Sequence, residues 1–223
     1  MKNNEGNEKR KASGQQRRER TRLRLLTAAA QVLAQYGEQK ATIEDFVEAA
    51  GVSRGTFYNY YGTVGELLDD LWEYVGQDPF LEIQDACASI ESPAERFTTK
   101  ARLILQLALQ DKAWGWIIYF LSAGKPTIRS ELLSYPAPDL KEGIQAGVFS
   151  FDNLDSATDL AVGTLRNALH ALLSEHRDEN YALEICKLLL RAFGARDAEI
   201  SCLISGRLPT LAGGPRLVAD YLR

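Results

Sequence analysis

The chain holds 223 residues, 45% of them apolar, 25% charged and 9% aromatic, with a net charge of −4. That is one or two domains with ample apolar material for a core. No run of 18 apolar residues occurs, which excludes a membrane helix, and the N-terminus lacks the apolar stretch of a secretory signal.

Three cysteines, Cys87, Cys186 and Cys202, have no CxxC spacing and read as reduced thiols of a cytoplasmic protein. With only His170 and His176 as histidines, no metal site, cofactor or Ser-His-Asp scheme is expected. The chain also lacks a Gly-rich phosphate loop, HExxH and GxSxG, so no enzyme is expected.

Charge is uneven along the chain. Residues 1–24 carry nine Lys/Arg against three acids, whereas residues 63–223 carry fifteen basic against twenty-three acidic residues. A basic head on an acidic body points to a polyanion partner for the head alone. Residues 1–15 are polar and expected as a disordered basic tail. Lys9–Lys11 with Arg17–Arg20 also has the layout of a bipartite nuclear-import signal, a pattern that recurs by chance.

From Arg17 to Tyr36 the periodicity is helical, with Leu26, Ala29, Ala30 and Leu33 on one face and Gly37 as the stop. In ATIEDFVEAAGVSRGTFYNYYG, residues 41–62, Thr42 is placed as an N-cap with Asp45 three residues on. Ile43, Phe46, Val47 and Ala50 form an apolar stripe, and Gly51 supplies a left-handed stop. Ser53 caps a second short helix, with Val52 and Phe57 at staple spacing. Two short helices across a tight turn make a helix-turn-helix, whose second helix fits a major groove. Phe57 and Tyr61 face inward. Arg54, Thr56, Tyr58, Asn59 and Tyr60 are left outside, hydrogen-bonding types suited to base edges and phosphates. Gly55 costs roughly 1 kcal/mol in a helix, which close approach to DNA would explain.

Thr42 to Gly62 followed by Glu66-Leu67-Leu68 resembles the DNA-binding domain of the TetR (tetracycline-repressor) family, over about fifty residues, 17–68. The resemblance implies an all-α homodimer. Each subunit would pair an N-terminal three-helix DNA-binding domain, residues 16–62, with a larger helical ligand-binding and dimerisation domain, residues 63–206, before a tail at 207–223. It implies phosphate contacts from Arg17, Arg18, Arg22, Thr42, Tyr58 and Tyr60, and base reading by Arg54, Thr56 and Asn59. Ser53, Gly55 and Thr63 complete the expected DNA-facing set. The family often opens its fourth helix with a phosphate-binding lysine, and here Val64 stands there. Thr63 and Glu66 still form a capping box.

In the helix from Thr63 to Gly76, Leu68, Leu71, Trp72 and Val75 share a face. Glu66, Asp69, Asp70 and Glu73 form an acidic stripe, read as solvated or as a partner for first-helix arginines. Ser92 and Pro93 open a helix over 93–110. Residues 114–124, apolar nearly all round, read either as packing core or as the wall of an apolar ligand cavity. The cavity reading selects Trp72, Trp114, Trp116, Tyr119 and Phe120. Pro136 and Pro138 are expected to interrupt a helix near 126–146. Two helices, 152–176 and 181–193, carry more apolar surface than one core needs. With the family's four-helix bundle, this selects Leu165, Leu169, Leu172, Leu189 and Phe193 as the dimer interface, and His170 as a packed or interface residue. A short helix at 197–205 follows.

The expected function is a dimeric, ligand-responsive regulator, most simply a repressor, bound to a near-palindromic operator in double-stranded DNA and released by a small, mainly apolar molecule. The rivals are an architectural DNA binder without a ligand, and an enzyme.

Overall fold

The computed structural model describes residues 2–36, 42–75, 78–122, 132, 134–175, 177–178 and 180–211. Among these the regular elements are helices: α1 (Lys2–Tyr36), α2 (Ile43–Ala50), α3 (Arg54–Tyr58), α4 (Val64–Val75), α5 (Asp78–Ala86), α6 (Pro93–Gln110), α7 (Lys112–Leu121), α8 (Ala137–Gln145), α9 (Leu154–Ser174), α10 (Tyr181–Ala192) and α11 (Asp197–Ser205). None is long and apolar enough to cross a membrane. His176 and the tail beyond Leu211 lie outside the described residues.

Helix α1 begins at Lys2, not near Arg17, so the stretch expected as a disordered tail is helical. That stretch has no proline, and seven of its fifteen residues are Lys, Glu, Gln or Arg, all good helix formers. The prolines expected to interrupt a helix instead start one. Pro136 is the N-cap of α8 and Pro138 lies in its first turn, where a missing N–H goes unnoticed. The remaining long helices fall where periodicity placed them. Ser92 Oγ caps α6 by accepting from Glu95 N–H at 3.3 Å, and Asn153 Oδ1 caps α9 from Ser156 at 2.8 Å.

One buried cluster runs through head and body, from Leu25, Phe46 and Phe57 through Leu67, Trp72 and Phe80 to Trp114 and Ile117. Helix α1 packs against α2, α4 and α7, so the head rests directly on the body. A second cluster, around Phe97, Phe149, Leu190 and Phe193, closes the far end between α6 and α8 to α11.

Candidate nucleic-acid interface and cavity

The α2–α3 hairpin is built by its caps. Thr42 Oγ1 accepts from Asp45 N–H at 3.4 Å, and Asp45 returns a bond from Thr42 N–H at 2.7 Å. The Thr42 hydroxyl also donates to Asp45 at 2.7 Å, so it is engaged in the cap. That bond from Thr42 holds the exposed Asp45 carboxyl below the usual range. Gly51 ends α2 at φ 60°, a left-handed conformation that favours glycine. Arg24, absent from the expected site, donates to the carbonyls of Ala50 (2.6 Å) and Gly51 (2.9 Å), pinning the turn to α1. Its arginine type and helical position carried no signal for this, because the two carbonyls come close only in the fold.

Ser53 Oγ accepts from Thr56 N–H at 3.0 Å and starts α3. Phe57 is buried and Tyr61 nearly so, as the spacing requires. Outward face Ser53, Arg54, Gly55, Tyr58 and Asn59, with Thr56 and Tyr60 half-buried. Arg54 pairs with exposed Glu44 of α2 at 2.7 Å, and its guanidinium lies 5.9 Å from the Tyr58 ring. Tyr60 donates to the Arg18 carbonyl at 3.1 Å, and the Arg18 guanidinium stacks 5.8 Å from its ring. Arg17 and Arg18 are exposed, and exposed Thr63 accepts from Glu66 N–H at 3.2 Å. The Glu66 carboxylate caps Gly62 N–H (2.8 Å) rather than Thr63.

Arg22, expected as a phosphate contact, is paired within the chain. Its guanidinium is held by Asp70 and by Glu19 (2.9 Å). Two local carboxylates thus engage it within the chain. The acidic stripe of α4 thus partners a first-helix arginine through Asp70.

The body holds a cavity of about 60 Å3 bounded by α5 to α7, α9, Leu132 and residues 135–139. Its wall includes Phe80, Ile104, Ile118, Leu132, Tyr135 and Leu165. None of the five residues expected there lines it. Trp72, Trp114 and Trp116 are at most 5% exposed and belong to the core, and half-buried Tyr119 and Phe120 pack against that core. An aromatic helix face has no sequence mark separating core from cavity. The cavity instead opens where α5, unread in the sequence, places Phe80. The Phe80 ring centroid stands 5.1 Å from Tyr135, 5.4 Å from Trp114 and 6.1 Å from Trp72. Phe80 therefore joins the cavity wall to α4. Among the described residues the buried Trp72 Nε1 has no acceptor.

Polar groups meet at the cavity wall. Asp139, fully buried, accepts from Arg96 Nε at 2.5 Å and Lys100 Nζ at 2.8 Å. Arg96 also pairs with Glu142. Burial pushes the Tyr135 phenol well above its ordinary value. Arg166 donates to the Tyr119 carbonyl at 3.3 Å and stacks 4.1 Å from that ring.

The expected dimer residues divide. Leu189 and Phe193 are buried within this chain's far core, and Leu165 and Leu169 line the cavity. Leu172 packs half-buried against the cluster that runs through head and body. The outer face of α9 and α10 instead exposes Leu160 and Leu188, at 45% and 58%. A groove there runs along Leu160, Gly163, Thr164 and Asn167 to Tyr181 and Ile185. His170 is a packed residue, its ring centroid 4.9 Å from Tyr119.

The family model described as "Bacterial regulatory proteins, tetR family" matches residues 25–71, and "Tetracyclin repressor-like, C-terminal domain" matches residues 92–205. Among solved structures, RolR in complex with resorcinol is 29% identical, with 88% of this chain and 98% of that chain covered at a TM-score of 0.69. RolR without ligand is 28% identical over 84% and 98%, with a TM-score of 0.66. The Bacillus subtilis regulator FadR, in complex with stearoyl-CoA, shares the fold at 18% identity over 75% and 96%, with a TM-score of 0.57. No curated protein matches the chain.

Proposed function

Since the chain belongs to the TetR family of transcriptional regulators, with a DNA-binding head and a C-terminal domain of the kind that takes small ligands, we propose that it is a cytoplasmic, homodimeric repressor. It binds a near-palindromic operator and leaves it when a small, mainly apolar molecule enters the body. The observation that carries this reading is the cavity whose wall residue Phe80 also touches Trp72 of α4.

Two heads on a two-fold axis present their α3 helices to successive major grooves, about 34–36 Å apart. Arg54, Thr56 and Asn59 read bases, while Arg17, Arg18, Tyr58 and Tyr60 hold phosphates. The exposed face at Leu160 and Leu188 joins the two copies. The similarity to RolR, whose complex holds resorcinol, supports a single-ring effector. At about 60 Å3 the cavity is smaller than the roughly 150 Å3 that holds benzene. A ring therefore enters only by displacing wall side chains, Phe80 among them. That displacement reaches Trp72 and then Asp70, two residues along α4, which holds Arg22 and Tyr61 of the head. The effector thus favours a state with the wrong head spacing.

The test is selection of binding sites from random duplex DNA by the full-length protein, then titration of that complex with single-ring compounds. A near-palindrome and release by a ring compound are expected. A protein that holds its site at every ligand concentration would be an architectural binder.

A further inference from the structure

We propose that the Lys100–Asp139 pair recognises a neutral aromatic hydroxyl, so that the cavity selects phenols over ring carboxylates, ring amines and bare hydrocarbons. The proposal rests on the reading of this cavity as the effector site.

Lys100 of α6 and Asp139 of α8 both line the cavity, with side chains 10% and 2% exposed. An ammonium offers three N–H donors. Among the described residues, one goes to Asp139 and the ammonium also lies 5.3 Å from the Tyr135 ring. The Asp139 carboxylate has about four acceptor positions. Arg96 and Lys100 occupy two. A desolvated ammonium with spare donors, beside a desolvated carboxylate with spare acceptors, is best completed by an atom that both accepts and donates.

A hydroxyl is such an atom. It accepts from Lys100 Nζ and donates to Asp139. A carboxylate satisfies Lys100 but brings a second negative charge against Asp139. An alkylammonium meets Lys100 and Arg96 with like charge. A methyl group satisfies neither partner. The other polar wall residues are turned elsewhere: Ser122 Oγ donates to the Tyr119 carbonyl at 2.8 Å, the Tyr135 hydroxyl donates to the Phe80 carbonyl at 3.3 Å, and Arg166 lies over the Tyr119 ring. The remaining wall, including Phe80, Ile104 and Ile118, is suited to ring faces.

The test is calorimetry on the full-length protein with four probes: phenol, toluene, benzoate and benzylamine. Phenol is expected to bind at least tenfold more tightly than toluene, as a hydrogen bond to a charged partner implies, with the two ionic probes weakest. Lys100→Met keeps the aliphatic stem and leaves Asp139 with Arg96, so the phenol preference should collapse to within about twofold while toluene still binds. Asp139→Asn removes the like charge and should admit benzoate. Equal binding of phenol and toluene by the unaltered protein, or a preference that survives Lys100→Met, overturns the proposal, and the first of these needs no variant to fold. If no ring binds, both this proposal and the effector reading fail. Phenol selectivity without operator release overturns the effector reading alone.

Discussion

Arg22 and Asp70 meet as a two-point ion pair, with Nη2–Oδ1 at 2.5 Å and Nε–Oδ2 at 2.8 Å. Asp70 Oδ2 also accepts from the Tyr61 hydroxyl at 2.6 Å. One carboxylate on α4 thereby ties the first helix to the residue that closes the recognition hairpin. Burial by itself would raise the Asp70 carboxyl. The hydrogen bonds from Arg22 and Tyr61, with the Arg22 charge, outweigh it and hold the group below its ordinary value.

Asp70→Asn keeps the shape and removes the charge, and it should cost about 1–3 kcal/mol of stability. A carboxyl depressed in the folded state stabilises above its unfolded value, near pH 4, and that contribution is lost as pH falls through the folded value. Urea unfolding of both proteins from neutral pH downward checks this. The gap between them should narrow in acid, and a constant gap would contradict it.

Arg54 is paired to Glu44 across the hairpin, both groups being exposed. Arg54→Ala should cost about 1–3 kcal/mol on the selected operator and relax preference at one position of each half-site. Equal weakening on operator and scrambled DNA, measured at one salt concentration, would make Arg54 a phosphate contact only.

Gly55 has no need to be glycine in the free protein, since an added Cβ would meet only Ser53 Oγ, at 3.8 Å. Gly55→Ala should therefore stabilise the free protein by up to ~1 kcal/mol through helix propensity, read as a slightly higher melting temperature, yet weaken operator binding if α3 lies close against DNA. A variant that binds as well as the parent would place this turn of α3 away from the duplex.

Neighbouring leucines on α10 should behave in opposite ways. Leu188 is exposed and Leu189 buried. Leu188→Glu should yield a folded monomer by light scattering, with sharply reduced operator affinity, because one head reads a half-site. Leu189→Glu should unfold the body, an unpaired buried charge being costly. A Leu188→Glu dimer would move the interface elsewhere.

Trp116 lies in the core, and Ala101 lines the cavity. Trp116→Ala should cost about 3–5 kcal/mol of stability and leave the ligand response of the folded fraction intact. Ala101→Val fills part of the cavity and should abolish that response with little loss of operator affinity. Induction curves alongside thermal melts separate the two effects.

Local rules were sufficient for the α2–α3 hairpin. Thr42 and Asp45, Gly51, Ser53 and the Phe57–Tyr61 spacing act over a few residues, so caps and turn were legible from order alone, as was the outward face apart from half-buried Thr56 and Tyr60. The same holds for the limits of α6, α10 and α11, where a cap or a period of 3.6 decides. Three features depended on contacts between distant residues. Arg22 meets Asp70 and Arg24 meets Ala50 only once α1 packs on α4 and α2, so an arginine's phosphate role or clamp role is invisible beforehand. The cavity needed α5 to place Phe80 against α6 and Tyr135, whereas Trp114 and Trp116, with the same apolar marks, became core. On α9 and α10 the apolar residues outnumber the face turned to this chain, and periodicity cannot say which stripe turns inward. Packing against the far core took Leu189 and Phe193 and left Leu160 and Leu188 outside, because only the tertiary structure assigns each stripe its neighbour.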